Sequence, residues 1–338
     1  MQRFALAAAL LMPVVIDGAF TPVPAKLISE VLIAQDKKSD STPLAIKDID
    51  RLSKKVKQAK AAGDYQKAIE ITKSILQLQE KELGAEHLDT AYSLNSLAIM
   101  YVRQNLYSKA EPLYLRAISI YENAKGLEHT DTAITLGNLA HMYSEQGLYN
   151  KAEPLYLRAL AITEKVLGAE HLGIALNLNS LALLYQDQGL YNKAEPLYIR
   201  ALAIREKVLG EEHPRTSISL NNLALLYQDQ GLYNKVEPLY LRALLIMEKV
   251  LGEDHPTTSV SLNNLAMLYQ KQGLYNKAEP LLVRALAIMD KVLGAEHPST
   301  ANSLNNLALL YQVQGLYNKA EPLLVRALLI REKVLGAE

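Results

Sequence analysis

Six histidines, His87, His129, His171, His213, His255 and His297, recur on an unbroken 42-residue step. Imidazole binds metals and moves protons near neutral pH, so this ladder raises both chemistries. Metal binding conflicts with the periodicity itself. Equivalent positions in neighbouring units of a helical stack lie about 10 Å apart, set by helix packing. Zinc instead draws its histidine nitrogens to about 2 Å from one ion. Three of the histidines precede Pro214, Pro256 and Pro298, which places them in a turn with proline at the start of the following helix. His141 stands off the ladder, alone. Acid–base or nucleophilic catalysis needs unlike residues brought together, whereas this chain presents like residues at intervals. It has no Gly-rich phosphate loop, no paired-histidine helix motif, no Gly-x-Ser-x-Gly elbow and no cysteine. We expect no catalytic residue, no metal and no cofactor. Lys plus Arg equals Asp plus Glu at 36 each, so no net positive field gathers nucleic acid.

The elements behind the ladder are legible in one unit. "GLYNKAEPLYLRAL", residues 147 to 160, returns nearly unchanged at 189, 231, 273 and 315, on the same 42-residue step as the histidines. In residues 215 to 252, Leu220, Leu223, Ala224 and Tyr227 share one face of a first helix, helix A, which Gly231 stops. Asn234 and Glu237 have the spacing of a capping box for a second helix, helix B. Its buried side carries Val236, Leu239, Tyr240, Ala243, Leu244 and Met247, and Gly252 closes it. Pro238 falls near the fourth position of helix B, removing a backbone bond unless the helix starts a residue later. Alanines recur on helix A (98, 140, 182, 224, 266, 308) and on helix B (117, 159, 201, 243, 285, 327), where close approach needs a small side chain. Arg116, Arg158, Arg200, Arg242, Arg284 and Arg326 form a row read as a solvated face with local carboxylate pairs. A hairpin of this kind leaves an apolar face that the next must cover.

Leu, Ala and Tyr at spacings of three, one and three, then Gly-x-Tyr, then two Ala seven apart, resemble the tetratricopeptide repeat. The form "LNNLALLYQDQG...AEPLYLRALAIREKVLG..HP" is similar to the repeats of kinesin light chains and their bacterial relatives, over residues 89 to 338. The resemblance implies an all-α fold, a right-handed superhelical solenoid of antiparallel helix pairs. It sets repeats at 89–126, 131–168, 173–210, 215–252, 257–294 and 299–336, behind a degenerate cap at 47–84. That cap has Lys55 and Ala59 where the others have Leu and Tyr. Kinesin light chains carry a heptad coiled coil ahead of the repeats; here a leader (1–34) and a polar linker (35–45) precede an array over 46–338, so a motor role is not expected. The leader has a basic start at Arg3, an apolar run from Phe4 to Ile16 and small residues after it. It resembles a secretory signal directing export, too short to span a bilayer, with an Ala-rich cap helix as the alternative. No integral membrane segment is expected after it.

In tetratricopeptide arrays helix A builds the inner wall, and the resemblance carries that role to Asn221, Asn222, Leu225 and Gln228. The matching sets are Asn263, Asn264, Met267 and Gln270, then Asn305, Asn306, Leu309 and Gln312. Asn138 and Asn179 continue the amides upstream, while Arg103 and His141 make the early repeats distinct. An amide donates and accepts at once, so such a row can hold a peptide backbone whatever its sequence. An amide ladder between adjacent repeats is the competing structural reading. A protein or peptide partner is therefore expected. The apolar outer face of the last helix B, with Leu324 and Leu328, raises a second possibility, a homo-oligomer through that repeat.

Overall fold

The computed structural model describes residues 44 to 335. The signal-like leader and most of the polar linker lie outside them. Among the described residues there are fourteen α-helices and no strand. They are α1 (Leu44–Ala61), α2 (Tyr65–Glu82), α3 (Leu88–Val102), α4 (Tyr107–Lys125), α5 (Thr130–Glu145), α6 (Tyr149–Leu167) and α7 (Leu172–Asp187). Then follow α8 (Tyr191–Leu209), α9 (Pro214–Asp229), α10 (Tyr233–Leu251), α11 (Pro256–Lys271), α12 (Tyr275–Val292), α13 (Pro298–Val313) and α14 (Tyr317–Leu335). The chain divides within α7 into an N-terminal unit, to Leu184, and a C-terminal unit, from Tyr185.

Each unit is a stack of helix hairpins. In the N-terminal unit α1 packs on α2, α3 on α4 and α5 on α6, while α2–α3 and α4–α5 contacts join successive hairpins. In the C-terminal unit the pairs are α9–α10, α11–α12 and α13–α14, with α8–α9, α10–α11 and α12–α13 as junctions. Alanine sets the closest approaches: Ala224, Ala266 and Ala308 on odd-numbered helices and Ala243 and Ala285 on even ones have no exposed surface. Of the apolar set read for helix B, Val236, Tyr240, Ala243, Leu244 and Met247 are buried and Leu239 is half-buried. In the first hairpin Ala59 is buried and Lys55 exposed.

The turns follow from capping chemistry. At the end of α9, Gly231 has φ 73° and donates its N–H to the Gln228 carbonyl at 3.0 Å, while Leu232 N–H reaches the Tyr227 carbonyl at 2.8 Å. That pair of bonds is a Schellman motif, and the positive φ is why glycine stands there. The capping box read at Asn234 and Glu237 is absent. Helix α10 starts at Tyr233 after Leu232, which makes no side-chain cap, and Glu237 instead accepts the Tyr269 hydroxyl at 2.7 Å. Pro238 is consequently inside α10, and its missing N–H frees the Asn234 carbonyl. Both residues are exposed, so water can satisfy it.

The histidine ladder is a row of N-caps. Nδ1 of His87, His129, His171, His213, His255 and His297 accepts the backbone N–H two residues on, at 3.0 to 3.2 Å. Thr258 completes one such turn by donating to the Gly252 carbonyl at 2.8 Å, a bond repeated by Thr90, Thr216 and Thr300. Each histidine thus satisfies a donor that the first helical turn leaves open. To accept, Nδ1 must carry no proton. Sequence placed these residues in the turn; the atom that does the work emerges only in three dimensions.

Replacing His255 by Ala is expected to cost about 0.5–2 kcal/mol, read as a lower urea midpoint, with Asn restoring most of it. At His129, burial and then Lys125 lower the pKa from its ordinary 6.5, against the pull of Asp131. The unfolded chain therefore takes up this proton more readily. The stability tied to His129 is complete above about pH 6.5 and declines as the pH falls below that value. His129→Asn keeps a cap acceptor without the titration, so its unfolding midpoint should fall less between pH 7 and pH 5; parallel profiles would refute this.

Candidate peptide-binding face

The site is framed by contacts that fix one hairpin on the next. Tyr227 donates to Glu195 at 2.8 Å, Tyr269 to Glu237 at 2.7 Å and Tyr311 to Glu279 at 2.7 Å, each across a hairpin junction of the C-terminal unit. Tyr143 and Glu111 repeat the contact in the N-terminal unit at 2.6 Å. Burial, then the bond to the carboxylate, raises these four phenols to about 12. A lysine of the same hairpin lies over each ring, as Lys235 does 4.5 Å from the centre of Tyr227. The arginine row is paired along the stack: Arg116 with Glu80, Arg158 with Glu122, Arg242 with Glu206, Arg284 with Glu248 and Arg326 with Asp290. These pairs are partly exposed, so each contributes no more than about 1 kcal/mol.

With helix B so occupied, the helix-A face remains. Asn222, Leu225, Asn264, Met267, Asn306 and Leu309 lie half-buried along α9, α11 and α13. Among the described residues, Asn222, Asn264 and Asn306 make no side-chain hydrogen bond. Their partners in each pair differ: Oδ1 of Asn221 and of Asn263 is shut off from solvent and has no donor. Asn179 on α7 has the same buried Oδ1, and Asn305 on α13 is half-buried. Asn138 is buried and donates Nδ2 to Asn95 Oδ1 at 3.0 Å, a rung between α5 and α3. The amides read as one row therefore divide into a solvent-facing set and a set turned into the stack. Gln228 is buried, Gln270 half-buried and Gln312 exposed.

Charged groups mark parts of the face. Arg103, exposed at the end of α3, lies over the Tyr65 ring at 5.7 Å, and His141 Nε2 is 3.4 Å from Glu145. Asp229 accepts from Gln186 at 2.6 Å, and Gln186 in turn accepts the Tyr198 hydroxyl at 2.9 Å. Partial burial, then Asp229, raises the Asp187 carboxyl above its ordinary range. Residue spacing gave no sign of this polar knot, because Asp187 and Asp229 differ from their periodic counterparts Lys271 and Val313. A break in the register is the signal that could have found it. Among the described residues, no three His, Asp or Glu side chains are grouped to hold a metal ion, and no helix is long and apolar enough to cross a membrane.

A family described as Tetratricopeptide repeat matches at residues 58–123, 131–194, 174–244, 219–291 and 257–333. Among solved structures, a putative kinesin light chain of Podosopora anserina with nearly identical TPR-like repeats is 32% identical. It covers 62% of this chain and 100% of its own, with a TM-score of 0.54. BtubC (BKLC) from P. vanneervenii is 25% identical, over 74% of this chain and 93% of its own, with a TM-score of 0.54. The apo form of RapI is similar in fold alone, at 17% identity, 86% and 100% coverage and a TM-score of 0.58. No curated protein matches the sequence.

The Asn95–Asn138 rung is testable by itself. Asn138→Ala should lower the urea unfolding free energy by about 0.5 to 1.5 kcal/mol, since it removes the donor to a half-buried acceptor. Replacing both residues by Ala together should cost less than the sum of the single changes.

Proposed function

Because the chain belongs to the tetratricopeptide repeat family, we propose that it is a non-enzymatic scaffold holding a peptide segment of a partner protein along its helix-A face. One observation carries the reading: Asn222, Asn264 and Asn306 stand in register on three consecutive hairpins, half-buried, with no side-chain hydrogen bond to any of the described residues. A half-buried amide left open is costly unless water or a ligand meets it, and an extended peptide backbone offers donors and acceptors in alternation. Each bond contributes about 0.5–1.5 kcal/mol net, so three amides alone bind weakly. Leu225, Met267 and Leu309 supply the apolar contact that adds affinity and selects side chains. Asp229 and Lys271, both exposed, bias the ligand's charge from one hairpin to the next. In the N-terminal unit, Leu176 and Leu183 are 41% and 40% exposed on α7, an apolar surface beside Asn179. Arg103 and His141 add polar selectivity there.

Exposed Val325, Leu328 and Leu329 on α14 favour a second reading, self-association through that helix.

The experiment is a capture from native cell extract with the full chain as bait, beside a variant carrying Asn222→Ala, Asn264→Ala and Asn306→Ala. The variant should keep its helical circular dichroism, and the specific partner should be lost or weakened at least tenfold. Identical capture by both baits would exclude the amide face, and recovery of bait copies alone would select self-association.

A further inference from the structure

The junction between α8 and α9 breaks the repeat. On the 42-residue register, Arg205 corresponds to Tyr121, Thr163, Met247, Met289 and Arg331, and Arg215 to Asp89, Asp131, Gly173, Thr257 and Ser299. A guanidinium only 5% exposed thus occupies a place where the next two hairpins bury a methionine. Nη1 of Arg205 donates to Ser219 Oγ at 2.5 Å and, at 3.5 Å, to the Arg215 backbone carbonyl. Among the described residues, no carboxylate pairs with it. Burial, then the second cation at Arg215, lowers its pKa to about 10. The acids nearby in sequence face elsewhere: Glu206 and Glu211 meet Arg242, and Glu212 meets Lys249.

A buried charge persists only where something compensates it, and here the fold does not require a charge at all. Met247 and Met289 fill the equivalent junctions with an apolar side chain. The bond to the Arg215 carbonyl sets the Arg205 guanidinium beside the first turn of α9. That turn adds the positive end of a helix dipole, its Arg215 N–H being held by His213 Nδ1. Arg215 is exposed, which leaves a way in from solvent.

We propose that Arg205 and Arg215, with Ser219 and the first turn of α9, form an anion site for a phosphate-type dianion, free or as a monoester. A guanidinium matches two oxygens of such a group at once, and two guanidiniums neutralise it. The site lies at a hairpin junction and is independent of the helix-A reading.

The test is thermal unfolding and calorimetric titration of the full chain at pH 7 with inorganic phosphate and with O-phosphoserine, against chloride at equal ionic strength. Either phosphate should raise the unfolding midpoint by about 3 °C at ten times its dissociation constant. The tighter of the two identifies the source as free or esterified. Arg205→Met installs the residue that already serves two neighbouring junctions, so it should fold, match or exceed the wild-type midpoint in chloride, and lose binding at least tenfold. Arg215→Thr, at an exposed position, is a second variant with the same expected loss. No shift beyond chloride in the wild type, or an equal shift in both variants, would overturn the proposal.

Discussion

Everything in the stack depends on how closely two helices can approach at an alanine. Ala224 on α9 and Ala243 on α10 expose no surface, and the same holds at Ala266 and Ala285. A methyl group there sets a short, reproducible distance between helix axes; any larger side chain would force the pair apart and shift every contact made beyond it. The polar contacts inherit that distance. Tyr269 reaches Glu237, and Arg284 reaches Glu248, only because successive hairpins repeat one spacing. Apolar packing therefore supplies most of the cohesion, while the tyrosine and arginine rows fix which face meets which.

Much of this was legible in the residues. The period, the helix pair, the small contact residues and the glycine stops follow from local backbone preference and hydrophobic spacing, which do not need a third dimension. The capping of α10 was not legible. Asn234 and Glu237 have the spacing of a capping box, yet Glu237 is engaged by a tyrosine 32 positions later, and a tertiary partner overrides a local pattern. The histidines show the converse: their place in the turn was readable, but Nδ1 as an acceptor depends on ring orientation. Paired arginines follow the reading of a solvated face, with partners one hairpin away.

The amides reveal where periodicity misleads. Residues that look equivalent on a sequence face separate in space, since Asn138 serves Asn95 while Asn222 bonds to none of the described residues. Departures from the register carry the complementary information. Asp187, Asp229 and Arg205 differ from residues that follow later in the register, and their polar contacts are ones that Val313, Met247 and Met289 cannot make. In a chain this regular, individuality lies in the exceptions.

The tyrosine–glutamate contact also bears on how such a chain changes length. Because Glu195 holds Tyr227 as Glu237 holds Tyr269 and Glu279 holds Tyr311, every junction of this kind offers the same plug to the same socket. Unequal recombination between near-identical coding segments that removes or adds a whole unit would rejoin a glutamate to a tyrosine at the proper offset. Such an event keeps these tyrosines paired, whereas an insertion or deletion of a fraction of a unit breaks the pairing that spans it. Copy number is thus free to drift in whole steps while the interface chemistry stays constant.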